Sequence, residues 1–138
     1  MKSIITVLLS LILSVQTFAA ELNIEVTQIE VLEGNIHIGL FVESGGFPKS
    51  TGQWQGKIIS ADQVTITATF TDIPAGDYAI AVFQDLNNNQ ALDTNFFGIP
   101  KEPYGFSGGN STMGAPDFSE AKFSLAEHDK HSIKVALK

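Results

Sequence analysis

Oxygen-bearing side chains alternate along a short polar segment of the chain, and their spacing could bind a metal ion. Asp85, Asn87, Asn89 and Asp93 occupy the first, third, fifth and ninth places of a calcium loop, and Ala91 at the seventh would offer its backbone carbonyl. Calcium takes about six to eight oxygen ligands, which a tight loop of alternating donors can supply. We therefore predict a structural calcium site formed by these five residues.

Two positions in the segment depart from the usual calcium-loop pattern. Gln90 stands where the sharp turn favours Gly, and Phe96 stands where a bidentate Glu would complete the ligand shell. Water, Asn95 or Glu102 would then fill the open place, so we expect a weak dissociation constant of about 10⁻⁴ to 10⁻³ M. The alternative is an ordinary turn whose Asn and Asp side chains bond to their own backbone.

An aromatic segment follows the polar one directly. Its large apolar residues lie beside two prolines and two glycines, and they are Phe96, Phe97, Ile99, Tyr104 and Phe106. Such residues can close the end of a core, or they can form an exposed surface for a protein or a glycan. Both interpretations stay open, and the candidate partner surface consists of Phe96, Phe97, Tyr104 and Phe106.

The segment Gly105–Gly109 has the G-x-S-x-G form of a serine hydrolase, with Ser107 as the nucleophile. Asp117 and then His128 or His131 follow in the order of a catalytic triad. That motif needs a strand, a turn and a helix on a parallel sheet of a larger fold, whereas a Gly, Asn and Ser loop follows Ser107. We therefore predict no catalytic residues.

The three histidines do not suggest a metal site. His128 and His131 are close in sequence, but His37 lies in a different predicted strand and no third ligand is evident. We expect His128 and His131 to be solvated polar residues near the last strand.

The polar and aromatic segments must be positioned by β-strands, because apolar side chains alternate along most of the remaining chain. Residues 21–33 and 35–44 each follow this pattern, and the Gly34-Asn35 turn predicts that they pair as a hairpin. Residues 57–73 predict a further strand that runs to about Thr71. Trp54 is expected to pack into one edge of the core.

Both faces of residues 78–85 are apolar, which predicts a central strand ending at the polar segment. Residues 117–123 fit either a strand or a short helix with Asp117 as its N-cap and Glu120 three residues on. Residues 131–138 alternate strictly and predict the last strand. The pattern is typical of an all-β, two-sheet β-sandwich of about seven strands.

The composition and the first residues bear on location and on partners. Met1-Lys2, an apolar run and the small residues Thr17 and Ala19 predict a signal peptide over residues 1–19, leaving one domain over residues 20–138 and a periplasmic or secreted protein. Cysteine is absent, so packing or a bound ion must replace disulfides. A net charge of −7 with no Arg argues against nucleic acid as a partner and against anionic lipid.

The segment "IPAGDYAIAVFQDLNNNQALDTNFFGIPKEPYGFS", residues 73–107, followed by "GAPDFSEAKF", resembles the bacterial domain-of-unknown-function family 2141, which comprises small exported proteins. The family loop is close to D-x-N-x-N-G-x-L-D, from which Gln90 departs. The part "IPAGDYAIAVFQD" is also similar to carboxypeptidase regulatory-like and collagen-adhesin B-type sandwiches. This second resemblance implies a transthyretin-like or immunoglobulin-like topology and no particular chemistry.

These observations together predict an exported, non-catalytic β-sandwich module. It would carry a weak structural calcium site and bind an envelope or extracellular protein or glycan, without stable membrane insertion once the signal is cleaved. One alternative is a small secreted hydrolase that uses Ser107, or Asp85 and Asp93 with a metal-bound water. Another alternative is a structural or assembly subunit.

Overall fold

The computed structural model describes residues 19–109 and 114–138. The predicted signal peptide therefore lies outside the described residues, except for Ala19. Within the described part the chain forms eight strands, one short α-helix and two 3₁₀ helices of one turn each, at Glu43–Gly45 and Ser50–Gly52. The strands and the α-helix are β1 (Ala20–Thr27), β2 (Asn35–Phe41), β3 (Gln55–Ser60), β4 (Ile66–Ile73), β5 (Gly76–Asp85), β6 (Tyr104–Phe106), α1 (Phe118–Ala121), β7 (Phe123–Leu125) and β8 (Lys130–Ala136).

The strands form two sheets that enclose one apolar core. The first sheet has the order β4-β1-β8, and the second has the order β3-β2-β5-β6 with β7 also paired to β5. Alternate residues of both sheets are fully buried between them, among them Leu22, Ile24, Ile38, Ile80 and Val135. The all-β, two-sheet sandwich predicted from the strand periodicity is confirmed.

The predicted hairpin between the first two strands is wrong. Strand β1 pairs with β4 and in parallel with β8, whereas β2 pairs with β3 and β5. The chain leaves β1 at Gln28, which has a positive φ of 61°, and Ile29 fills the gap between the sheets. Both strands carry one apolar face, and placing them in opposite sheets lets the two faces pack against each other across the core.

The strand predicted over residues 57–73 is in fact two strands in different sheets. Strand β3 lies at the edge of the second sheet and β4 at the edge of the first, and the exposed Val64 lies in the connection. The alternation from Val64 to Phe70 reflects β4 and the end of the connection, while β3 precedes it at Gln55–Ser60. Trp54 is 42% exposed and lies against the Tyr78 ring, so it covers the surface more than it enters the core.

Strand β5 is central, as its two apolar faces predicted. Tyr78, Ile80 and Val82 face the main core, while Ala79 and Ala81 lie on the opposite face of the sheet. This outer face is covered by a smaller aromatic cluster, in which the Phe47 ring makes edge-to-face contacts with Phe41, Phe106 and Phe118. The central strand is therefore packed on both faces around Ala79 and Ala81.

The two interpretations of residues 117–123 both hold, one after the other. Helix α1 begins with a capping box, in which Glu120 Oε2 accepts the N–H of Asp117 at 2.9 Å. Strand β7 follows at Phe123 and pairs with the start of β5. The predicted last strand is also present, as β8.

Gly34 lies just before β2 and close to the Asp85 carbonyl at the end of β5, and substituting it tests this close approach. A Cβ atom on Gly34 would overlap the Asp85 carbonyl, whereas one on Gly46, which also has a positive φ, would meet no atom within 4 Å. Gly46→Ala should cost about 1 kcal/mol of unfolding free energy, from backbone strain alone. Gly34→Ala should cost at least about 2 kcal/mol more, by urea denaturation. Equal losses would contradict the close approach.

Candidate functional site

The polar segment begins with a buried carboxylate at the end of β5. Asp85 is 1% exposed, and its Oδ1 and Oδ2 accept the N–H groups of Asn89 and Gln90 at 3.1 and 2.8 Å. His37 of the neighbouring strand β2 places Nε2 3.3 Å from Asp85 Oδ2. A buried carboxylate is costly unless such partners compensate its lost hydration. Asp85 therefore fixes the loop that follows it.

Gln90 adopts the backbone conformation that Gly would favour at its place in a calcium loop. Its φ is 64°, and Asn88 two residues earlier has a φ of 55°. A left-handed Gln costs about 1 kcal/mol or more, which the hydrogen bond from its N–H to Asp85 offsets. The tight turn therefore forms without glycine at this position.

The other loop candidates converge on Asp93. Asn87 and Asn89 donate their Nδ2 groups to Asp93 Oδ2 and Oδ1, at 2.6 and 2.8 Å. The Oδ1 atoms of the two asparagines accept the backbone N–H groups of Asn89 and Ala91. The structure thus brings together Asp85, Asn87, Asn89 and Asp93, with Ala91 attached through its N–H.

Glu102 closes the base of this loop. It is 6% exposed, and its Oε1 and Oε2 accept the N–H groups of Leu86 and Asp93, both at 2.9 Å. The sequence suggested Glu102 only as a possible replacement ligand, whereas in the structure it ties the two ends of the loop together. Lys101 precedes Glu102 and Pro103 follows it, and this local sequence matches no motif that would indicate such a role.

The donor set suits calcium by type, because every candidate side chain offers oxygen. The Asp93 carboxylate accepts exposed side-chain amides, which it can exchange for a cation. Asp85 is more constrained, since both of its oxygens already accept backbone N–H groups. Across residues 19–109 and 114–138 no three or more His, Cys, Asp or Glu side chains group closely enough to hold a metal. A calcium ion here would therefore depend on amide and carbonyl oxygens.

The aromatic segment divides into a buried half and an exposed half. Phe106 is 8% exposed and lies in strand β6 within the outer aromatic cluster, and Tyr104 beside it is half-buried. Phe96 and Phe97 are 96% and 83% exposed, with their rings edge to face at 5.5 Å. Phe106 therefore belongs to the packed layer, and of the four candidate surface residues Phe96 and Phe97 are the most exposed.

A small hairpin carries these exposed rings, and we call residues 94–101 the aromatic tip. Its two sides are joined by a bridge between Thr94 and Pro100 and by the hydrogen bond from Asn95 N–H to Ile99 C=O. Asn95 Oδ1 also accepts the N–H groups of Phe97 and Ile99, at 2.9 and 3.0 Å. The exposed side chains therefore stand on a backbone that is held in place.

A surface cleft of about 570 Å³ lies beside the aromatic tip. Its lining includes Leu92, Pro100, Tyr104 and Phe106 together with residues 48–51. A smaller cavity of about 220 Å³ continues past Ala81 to His37. The outer face of the second sheet thus presents an apolar groove beside the loop.

His37 is a site residue that the sequence did not reveal. Its ring stacks on Phe83 at 4.6 Å, next to the contact with Asp85. The register of β2 and β5, which places His37 opposite Phe83, produces this arrangement. His131 lies elsewhere, stacked on the Phe123 ring, so these two histidines are not joined in one cluster.

The geometry around Ser107 does not resemble a hydrolase. Ser107 is 1% exposed, and its Oγ accepts the Ile80 N–H and donates to the Ala121 carbonyl, both at 2.8 Å. A nucleophile must reach a substrate and a general base, whereas this hydroxyl joins strand β5 to helix α1. Its role is structural.

Ser107→Ala should therefore lower the unfolding free energy by about 1 to 3 kcal/mol, because it leaves a buried N–H and a buried carbonyl without a partner. Thermal and urea denaturation measure the effect. The exposed Ser119→Ala in helix α1 is the matched control and should change stability by less than about 0.5 kcal/mol. An unchanged stability together with loss of an esterase activity would contradict this assignment.

Comparison with known proteins gives one match. No curated protein and no solved structure matches significantly, so the similarity to carboxypeptidase regulatory-like sandwiches stays a prediction. In the described part of the chain, no helix has the length and apolar character needed to span a membrane.

Residues 24–134 match the model of a bacterial family described as "Uncharacterized protein conserved in bacteria". The matched range contains the end of β5, the polar loop, the aromatic tip and most of both sheets. The match covers well over half of the sequence, and the chain therefore belongs to this bacterial family, DUF2141.

Proposed function

We propose that this protein is a non-catalytic binding module that acts outside the cytoplasm and recognises its partner through the aromatic tip. The observation that carries the proposal is the exposure of Phe96 and Phe97, at 96% and 83%. Two adjacent aromatic side chains seldom remain this exposed unless they take part in recognition. The signal-like first residues support an extracytoplasmic location.

The rigidity of the tip supports a role in binding and not that of an ordinary surface loop. The hydrogen bonds of Asn95 hold the turn, and Glu102 holds its base to the end of the central strand. A loop already fixed in one shape loses less conformational entropy on binding than a flexible loop does. More of the free energy of its apolar contacts therefore contributes to the binding affinity.

Calcium in the polar loop is the second part of the proposal. The ligands would be Asp85, Asn87, Asn89, the Ala91 carbonyl and Asp93, and the ion would supply charge compensation and loop rigidity. The left-handed turn at Gln90 supports this, since it supplies the backbone shape that such a loop needs. With no cysteine in the sequence, an ion would take the place of a covalent crosslink.

Calcium at about 5 mM should raise the unfolding free energy by about 1 to 2 kcal/mol, as expected for a dissociation constant of about 10⁻⁴ to 10⁻³ M. Thermal melting with calcium, and then with a chelator in excess, measures the change. Asp93→Asn keeps the shape of the side chain but removes a ligand charge, so it should abolish most of the increase.

Asp62→Asn is the matched control, since Asp62 is exposed in the connection between β3 and β4 and undergoes the same charge change. It should retain the full calcium response. If calcium leaves the melting temperature of the unmodified protein unchanged, the ion is removed from the proposal while the aromatic tip is unaffected.

Partner recognition by the tip predicts a position-specific contact. A photoreactive residue in place of Phe97 should crosslink to an envelope component, and the yield should fall when Phe96→Ala is added. The same residue in place of Val64, which is 64% exposed far along the chain from the tip, should give no such product. Equal products from both positions would show that the tip has no special role.

A further inference from the structure

Several backbone N–H groups of the aromatic tip are hydrogen-bonded within the tip. The N–H groups of Phe97 and Ile99 donate to Asn95 Oδ1, and the Gly98 N–H donates to the Asn95 carbonyl at 2.9 Å. The Asn95 N–H itself donates to the Ile99 carbonyl at 2.8 Å. These bonds leave fewer free N–H groups for an apolar medium to cover, where each unsatisfied polar group is costly.

The side chains at the apex are entirely apolar. Residues 96–99 are Phe, Phe, Gly and Ile, and Ile99 is 59% exposed beside the two aromatic rings. A protein–protein interface of ordinary composition places polar rim groups around its aromatic anchors and forms hydrogen bonds through them. The apex offers no polar side chain for this purpose. Its composition matches an apolar medium better than a polar protein surface.

The charged residues near the tip are also consistent with an apolar apex. Residues 94–101 contain no carboxylate in a chain of net charge −7, and the one charged residue is the exposed Lys101. Asp93 and Glu102, the carboxylates that flank the tip in the sequence, accept hydrogen bonds from groups of the polar loop. A lysine at this depth can keep its ammonium among lipid phosphates while its alkyl stem lies along the apolar layer.

We propose that the aromatic tip inserts into the interface of a phospholipid bilayer, with Phe96, Phe97 and Ile99 below the headgroups and Lys101 at their level. This rests on the proposed function, in which the tip is the binding surface, and it identifies the partner as lipid. Binding would be peripheral and reversible, since only one short apex is buried. The acidic remainder of the chain favours zwitterionic over anionic lipid.

The test uses the chain from Ala20 onward, which contains all eight strands and excludes the apolar first residues. Partition onto phosphatidylcholine vesicles is measured by flotation, up to about 5 mM lipid. The variant Phe96→Ala with Phe97→Ala should partition at least about tenfold more weakly, because it loses most of the buried apolar area. Leu32→Ala with Val64→Ala removes exposed apolar side chains elsewhere and should partition like the unmodified chain.

Depth is measured separately in a Trp54→Phe background. Phe97→Trp should shift its fluorescence to the blue on vesicle addition and be quenched by lipids brominated on the acyl chain. Val64→Trp in the same background should show neither effect.

No measurable partition of the unmodified chain would overturn the lipid inference, and so would equal partition of the tip variant. If the crosslink from position 97 nevertheless captures a protein and depends on Phe96, then the proposed function holds with a protein partner. If both the partition and the crosslink fail, both proposals fall.

Discussion

The Asp85 carboxylate is the interaction on which the loop, and with it the candidate site, depends. It sits fully buried at the end of the central strand, where it binds the N–H groups of Asn89 and Gln90 and contacts His37. Each partner belongs to a different feature: the polar loop, the left-handed residue within it, and the outer face of the sheet. Because the buried charge needs all of these contacts, the conformations of the three features are coupled.

The second constraint is that strand β5 is packed on both faces. A two-sheet sandwich usually leaves the outer face of each sheet to solvent. Here the outer face of the second sheet carries its own aromatic layer around Phe47 and Phe106, tied down by the Ser107 hydroxyl. The layer stops short of the loop, and the cleft beside Tyr104 is the space that remains. The cleft therefore results from where the second layer ends.

The sequence predicted the central and last strands, but it ran two strands together over residues 57–73 and did not predict which strands are neighbours. Alternation at Leu22 and at Ile38 shows that each residue faces the core, and that face is the same whether the two strands pair side by side or oppose each other across the core. Composition also did not separate Phe97 from Phe106, which differ only in what the fold places over them. His37 was missed for a related reason: its contact with Asp85 depends on strand register, which no local pattern records.

The chemistry of the loop was more accessible from sequence, because it is local. The spacing from Asp85 to Asp93 predicted either a calcium site or a turn whose side chains bond to its own backbone. The hydrogen bonds of the loop have the second form, and the ion stays a prediction. The departure at Gln90 was harder to evaluate, since its cost depends on whether nearby contacts compensate a left-handed backbone. Asp85 supplies that compensation through the Gln90 N–H. Gln90, which departs from the calcium-loop pattern, is thus held in place by Asp85, the first residue of that pattern.

The polar loop and the aromatic tip are consecutive parts of one excursion between β5 and β6, and Glu102 joins them by bonding to Leu86 and Asp93. An ion in the loop would add rigidity at the base without touching the apex. It would therefore change how much ordering entropy remains to be lost on binding, while Phe96 and Phe97 determine the apolar area that is buried. These contributions act on different terms of the binding free energy, so each can be altered by substitution without removing the other.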